Sequence, residues 1–451
     1  MCLFTSKVSS PASASRKGHF RPSPFHLAIV VILTFSCLAH SESLKPDTAP
    51  WNLKKLFVKP SYVWVKTDGP IRALIYTGER YIGKPTKVFA YYASPSTLNG
   101  TVDTARKKYP GIVLIHGGGG TAYPKWVERW AKRGYAAIAM DLSGHRADKL
   151  DKRKKPVRMD DGGPELGGLA AFDIIGHKSI TDDWPYQAVA DGILAHSLLL
   201  SFPEVDAERT AVTGISWGGY ATCIVASIDY RFKAAVPVYG CGFLHEDRLW
   251  SAEFSKLGAE GTRRWVRLYD PSSYLPKDQV PMLLVGGTND QFFSLNSFMK
   301  SYQAVPRLQK RLHLQINMVH SHEAGWAPKE IGWFVDSVLG VNEERPLPVI
   351  GEPQFKRGKA ISSLSSALPI VAAWLNYDMP GKAGREWVTV PAKIEHGVVS
   401  APLPPVDSKM LFFNVTDSRG AMVSSLARVS SGRSHRSKSG LHPNSRPTPQ
   451  S

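Results

Sequence analysis

Apolar positions along the first half of the chain fall into two kinds of run. Residues 62–65 (YVWV), 71–76 (IRALIY) and 87–92 (KVFAYY) are rich in aromatic and β-branched residues and are split by Gly and Pro turns. That composition predicts strands. From residue 111 the rhythm changes. Short continuous apolar runs (GIVLIH at 111–116, YAAIAMD at 135–141, TAVT at 210–213) alternate with longer stretches of helical period. The helical stretches hold Trp126, Trp130 and Ala131, then Ala188, Ile193, Leu194 and Leu198. Further runs at 234–239, 282–286 and 312–317 continue the strand series, and residues 326–339 read as a closing helix. A short apolar run bounded by turns is the mark of a strand buried on both faces, so the alternation predicts an α/β fold with a mostly parallel sheet.

The pattern then reverts. Residues 343–357 are enriched in Pro and Glu and read as a linker. Within 358–428 the runs at 370–375, 386–390 and 410–414 are strand-like without helical period, which predicts a small β-sandwich-like region. Residues 429–451 are rich in Ser, Arg and Pro with no apolar period and are expected to be a disordered basic tail. At the other end, residues 27–38 (LAIVVILTFSCL) are apolar, are preceded by Lys7, Arg16, Lys17 and Arg21, and are followed by the small residues Ala39 and Ser41. That run is short of the roughly 20 residues a membrane span needs, so residues 1–41 are expected to be a cleaved signal peptide. The expectation is a secreted, periplasmic or cell-surface protein; a lipoprotein on Cys37 or an uncleaved anchor is the alternative. Residues 42–105 form the N-terminal β-rich part and 106–342 the core.

Composition narrows the class. Over 451 residues, 43% are hydrophobic and 10% aromatic, enough for a large core and against disorder of the whole chain. Four Cys exclude a disulfide-dense scaffold and a multi-finger zinc protein. The net charge of +18 is concentrated in the leader, the tail and the block 146–158. No aromatic-interleaved basic motif accompanies it, so solvated segments are expected rather than a nucleic-acid surface.

Chemistry concentrates at three places. The first is Gly214-Ile215-Ser216-Trp217-Gly218, after a strand and before a helical pattern. This is the strand–turn–helix setting of a nucleophile elbow, with small residues two places either side of Ser216. The second is His116-Gly117-Gly118-Gly119-Gly120, which follows a strand. Glycines there leave N–H groups free to face an oxyanion, and Gly117, Gly118 and Trp217 are the expected donors. A phosphate loop is excluded because no Gly-Lys-Ser/Thr ending is present. The third is Asp290, just past a strand end, followed by His320 and His322, so the order along the chain is Ser, Asp, His. His320 lies nearer its strand end and is the favoured base, with His322 as the alternate.

Together the elbow, the HGGGG run and the late Asp and His resemble the α/β-hydrolase superfamily. The stretch 213–242 is most similar to secreted acetyl xylan esterases and to prolyl-oligopeptidase-like and dienelactone-hydrolase-like relatives, with 317–326 next. The resemblance spans about residues 60–340. It implies a cofactor-free, metal-free serine esterase acting through Ser216, His320 and Asp290 on carboxylic, most simply acetyl, esters of a small molecule or a polysaccharide such as xylan. Two other readings are a prolyl-oligopeptidase-like peptidase and a non-catalytic carbohydrate-binding surface protein. Asp141 could line a pocket or form a turn, and Asp160, Asp161, Asp182 and Asp183 could bind sugar hydroxyls or a cation or belong to a solvated acidic loop, which is the default. Trp217 and Tyr239 could stack on a sugar or pack in the core. Cys223 and Cys241 are expected as two buried thiols rather than a disulfide.

Overall fold

A computed structural model describes residues 49–101, 108–166, 171–172, 179–306, 310–381 and 384–429. The expected signal peptide and all but the first residue of the expected tail lie outside the described residues. The N-terminal runs form β1 (Tyr62–Lys66), β2 (Arg72–Tyr81) and β3 (Lys84–Ala93). The alternating part supplies β4 (Tyr109–Ile115), α1 (Pro124–Lys132), β5 (Ala136–Met140), a hairpin β6 (His145–Leu150) and β7 (Pro156–Arg158), α2 (Trp184–Leu199), β8 (Val205–Ile215), α3 (Trp217–Ile228) and β9 (Ala234–Val238). It ends with α4 (Ser251–Tyr269), β10 (Met282–Gly287), α5 (Leu295–Ala304), β11 (Lys310–Gln315) and α6 (Lys329–Leu339).

Nine strands make one sheet in the order β1-β2-β3-β5-β4-β8-β9-β10-β11. Strands β1 to β3 pair antiparallel, and β3 joins β5 antiparallel; from β5 to β11 every pairing is parallel. The fold is that of an α/β hydrolase, a parallel sheet sheathed by helices with antiparallel strands added at one edge. Strands β4, β5 and β9 are buried along their whole length, which is why they read as unbroken apolar runs.

Helix α2 is also buried at every position. Of its polar members, His196 is bonded on both ring nitrogens, to Asp229 at 2.8 Å through Nδ1 and to Thr210 at 2.9 Å through Nε2, whereas Gln187 Oε1 and Asp191 Oδ1 have no partner among the described residues. The closing helix differs from the sequence expectation. Residues 322–326 form one short turn of helix, and α6 begins only at Lys329, because Pro328 lacks the N–H that would continue the first segment. The polar stretch after β5 holds the β6–β7 hairpin.

The C-terminal region contains β12 (Val349–Ile350), β13 (Gln354–Lys356), β14 (Lys359–Ser365), β15 (Ile370–Gly381), β16 (Gly384–Pro391), β17 (Lys393–Glu395), β18 (Val398–Pro402), β19 (Met410–Asp417), β20 (Met422–Ser424) and β21 (Arg428–Val429). They form two sheets, one around β14 and β18 and one around β15 and β19. The stretch 343–357, expected as a linker, contributes β12 and β13 to the first of them. The second docks on the hydrolase sheet. Leu314 N–H donates to Ser424 Oγ at 2.8 Å, and Met422 N–H donates to Glu330 Oε1 at 2.8 Å. Edge strand β11 is thereby covered, which removes an exposed row of unpaired peptide groups.

Candidate active site

The turn between β8 and α3 dictates everything at its tip. Ser216 sits at φ 59°, ψ −121°, a conformation that L-residues avoid and that points its side chain out of the turn. Crowding explains the flanking glycines. A Cβ on Gly214 would lie 2.2 Å from Gly218 O, and one on Gly218 would lie 2.0 Å from Ile115 O. No side chain fits at either place, so β4, β8 and α3 can approach only with glycine there. Ser216 itself is 9% exposed and caps the N-terminus of α3, where the helix dipole favours negative charge.

His320 Nε2 lies 2.9 Å from Ser216 Oγ, and His320 Nδ1 lies 2.7 Å from Asp290 Oδ2. The hydroxyl thus donates to the ring, and the ring donates to the carboxylate. Asp290 is held on its other oxygen, since Oδ1 accepts the N–H groups of Phe292 and Phe293 at 2.8 and 2.9 Å. Its side chain is 3% exposed and that of His320 is 10% exposed. The His320 ring packs against Tyr239 (centroids 4.4 Å apart) and Phe292 (4.7 Å), so its plane is set by aromatic neighbours as well as by hydrogen bonds. Tyr239 also ties down the histidine loop by donating its hydroxyl to Val319 O at 2.8 Å.

His322 is placed elsewhere. Its Nε2 accepts the Gly117 N–H at 3.0 Å, and its Nδ1 lies 3.3 Å from the Tyr123 hydroxyl. Burial, reinforced by the nearby charges His116 and His320 would carry, lowers its pKa to about 4, so it is a neutral acceptor at ordinary pH. Of the three expected oxyanion donors, then, the Gly117 N–H is engaged by His322. The Gly118 and Trp217 N–H groups have no acceptor among the described residues. A Cβ on Gly118 would lie 3.0 Å from Trp217 Cδ1, which places the two donors' residues side by side.

His116 fixes the same loop from behind. Its Nε2 accepts the Leu142 N–H at 2.8 Å, which leaves Nδ1–H to donate to Gly117 O at 2.8 Å. Burial lowers its pKa, as a neutral ring bonded on both nitrogens requires. Asp141 turns the chain after β5, accepting from Thr121 Oγ1, Ser143 N and His145 N at 2.7 to 2.9 Å. Asp182 and Asp183 are likewise internal acceptors, for Ile82 N–H and the Tyr269 hydroxyl, and burial raises the Asp183 carboxyl to about 6. Asp160 and Asp161 lie on the surface.

Trp217 and Tyr239 are 5% and 1% exposed, so neither offers a free face to a sugar. The Trp217 ring meets Phe172, Trp184, Trp250 and Phe293 at centroid distances of 5.4 to 5.9 Å. Cys223 and Cys241 are buried free thiols whose pKa values are raised by burial. Among the described residues no cluster of three metal-ligating side chains occurs, and no helix is long and apolar enough to cross a membrane. Sequence reasoning missed Tyr123 and Asn289 as neighbours of the site. Their partners are 199 and 98 positions away along the chain, and spacing carries no sign of such contacts.

Part of the chain matches a known family. The prolyl oligopeptidase family matches residues 176–336, the span that carries Ser216, Asp290 and His320. No curated protein sequence matches significantly. Similar solved structures include an acetyl xylan esterase from Paenibacillus sp. R4, 21% identical, covering 65% of this chain and 98% of that one, with a TM-score of 0.48. A putative dienelactone hydrolase from Klebsiella pneumoniae is 18% identical, with 60% and 98% coverage and a TM-score of 0.39. An acylaminoacyl peptidase from Pyrococcus horikoshii is 19% identical, with 57% and 39% coverage and a TM-score of 0.39. The strand order and the strand–turn–helix at Ser216 make the fold that of an α/β hydrolase.

Proposed function

We propose that the protein hydrolyses carboxylic esters, acetyl esters of carbohydrate foremost, through an acyl-enzyme on Ser216. The observation that carries this reading is the continuous chain Asp290–His320–Ser216, with bonds of 2.7 and 2.9 Å, ending on a hydroxyl at a helix N-terminus. His320 takes the Ser216 proton as Oγ attacks the ester carbonyl, and Asp290 stabilises the imidazolium. The oxyanion that forms is met by the Trp217 and Gly118 N–H groups. His320 then protonates the leaving alkoxide, and water repeats the attack on the acyl-enzyme. The aromatic wall of Trp217, Trp250, Phe172 and Phe293 beside the nucleophile supports a small acyl group over a bulky one.

The test is hydrolysis of p-nitrophenyl acetate and of acetylated xylan. Ser216→Ala is expected to abolish both, and to abolish labelling by a fluorophosphonate, with the fold intact. Retained activity would end the proposal. The match to the prolyl oligopeptidase family favours a second reading, cleavage of peptides, which the same mechanism performs on an amide. Peptide p-nitroanilides assayed beside the acetyl esters separate the two. A non-catalytic carbohydrate-binding role predicts no labelling at all. We also propose export through residues 1–41, with neither nucleic acid nor a resident cofactor as a partner; the N-terminal sequence of mature protein from the host's culture medium tests the export.

A further inference from the structure

The C-terminal β region reaches the site at one point. Trp387, on β16, donates its indole N–H to Asn289 Oδ1 at 3.0 Å. An indole can only donate, so this bond settles which end of the Asn289 amide is oxygen. The amide nitrogen is therefore the end that donates to Asn317 Oδ1, at 2.5 Å, and it also lies 3.4 Å from Arg385 O on the same strand β16. Asn289 immediately precedes Asp290. Asn317 begins the loop that carries His320 and has φ 52°, a left-handed conformation that Asn tolerates better than most residues. The two loops are stitched a second time, where Asn317 N–H donates to Thr288 Oγ1 at 3.1 Å.

We propose that Trp387 is a positioning residue for the hydrolytic site: through Asn289 it sets the relative placement of the loops that carry Asp290 and His320. The proposal rests on the reading of Ser216, His320 and Asp290 as the reacting chain. Docking of the C-terminal region does not need this bond. Ser424 on Leu314, Glu330 on Met422 and the ion pair of Arg419 with Glu344 secure it elsewhere. What Trp387 adds is a contact on the acid loop itself. The Trp387 ring is held by Phe412, centroids 5.3 Å apart, so its N–H is presented from a packed side chain. Asn289 and Asn317 are exposed, so water competes for each bond and the effect is a few-fold one.

Trp387→Phe keeps the ring and removes the donor. Assayed on p-nitrophenyl acetate in the full chain, it is expected to lower kcat about 2- to 10-fold, the worth of one neutral hydrogen bond, with KM nearly unchanged. The acid limb of kcat/KM is expected to move to lower pH, because a less well aligned Asp290 stabilises the imidazolium less. Asn289→Ala should give the same phenotype, and the double variant should be no worse than either single one. Trp374→Phe, on neighbouring β15 and 39% exposed, should behave as the parent. A change in Tm alone, with kcat and pH profile as in the parent for both Trp387→Phe and Asn289→Ala, would overturn the proposal. Activity surviving in Ser216→Ala would instead overturn the reading beneath it.

Discussion

His322 Nε2 accepts the backbone N–H of Gly117, whereas two residues earlier His320 Nε2 accepts the hydroxyl of Ser216. One imidazole faces the nucleophile and the other faces the glycine loop. Their removal should therefore differ in size. His320→Ala is expected to lower kcat by roughly 10⁴- to 10⁶-fold, as loss of a general base does in other serine hydrolases. His322→Ala removes only a prop of the loop, and about a 10-fold fall is expected. Steady-state kinetics on p-nitrophenyl acetate check this. Equal losses would mean that the two roles are wrongly divided.

The glycines around the site should also separate into two classes. A methyl group on Gly218 would meet Ile115 O at 2.0 Å, backbone against backbone. Gly218→Ala is therefore expected to yield no soluble folded protein. On Gly118 the methyl meets Trp217 Cδ1 at 3.0 Å, a contact that a shift of a few tenths of an ångström relieves. Gly118→Ala should fold, with a normal circular dichroism spectrum. Because the shift moves a donor away from the oxyanion, its kcat should fall by up to about 10²-fold.

Those glycines were legible because steric demand leaves a local mark: a strand, then Gly-x-Ser-x-Gly, then an apolar helix. Asp290 and His320 were legible because each follows a short apolar run, so each falls at a strand's carboxyl end. His322 had the same local credentials, and only the folded path of the chain shows it facing Gly117. The division of donors was illegible for that reason, since an N–H group is free or engaged according to what packs on it. Trp387 left no trace, being a β-rich aromatic in a strand-like run. The break at Pro328 was readable in principle; the apolar period on either side of it masked the missing N–H. Long-range pairing, rather than local pattern, is what a single sequence withholds.

Asp278 gives a prediction on stability against pH. It is 3% exposed, its Oδ2 has no hydrogen-bond partner, and burial raises its pKa to about 7. The unfolded chain releases this proton near pH 4, while the folded chain retains it to about pH 7. Between those values the unfolded state binds fewer protons, so the carboxyl lowers stability progressively as pH rises and levels off above 7. Asp278→Asn removes the ionisation at the cost of an unmatched N–H. The variant should match the parent near pH 4 or fall slightly below it. At pH 8 it should be more stable by about 1–3 kcal/mol. Urea denaturation at both pH values reads the difference, and a gain independent of pH would refute the assignment.

The strained turn supplies a second stability test, one that separates strain from chemistry. At φ 59°, ψ −121° Ser216 occupies a region open to glycine and costly for any residue with a Cβ. Ser216→Ala removes the hydroxyl but keeps the strain. Ser216→Gly removes both. Elsewhere in a fold, Gly in place of Ala destabilises by roughly 0.5–1 kcal/mol through the freedom it gives the unfolded chain. Here relief of strain, on the order of 1–3 kcal/mol, outweighs that term. Both variants should be inactive, yet Ser216→Gly should be the more stable by about 1 kcal/mol. Paired thermal melts check the order. If Ser216→Ala melts higher, the elbow stores no strain, and the placement of the Ser216 hydroxyl needs another cause.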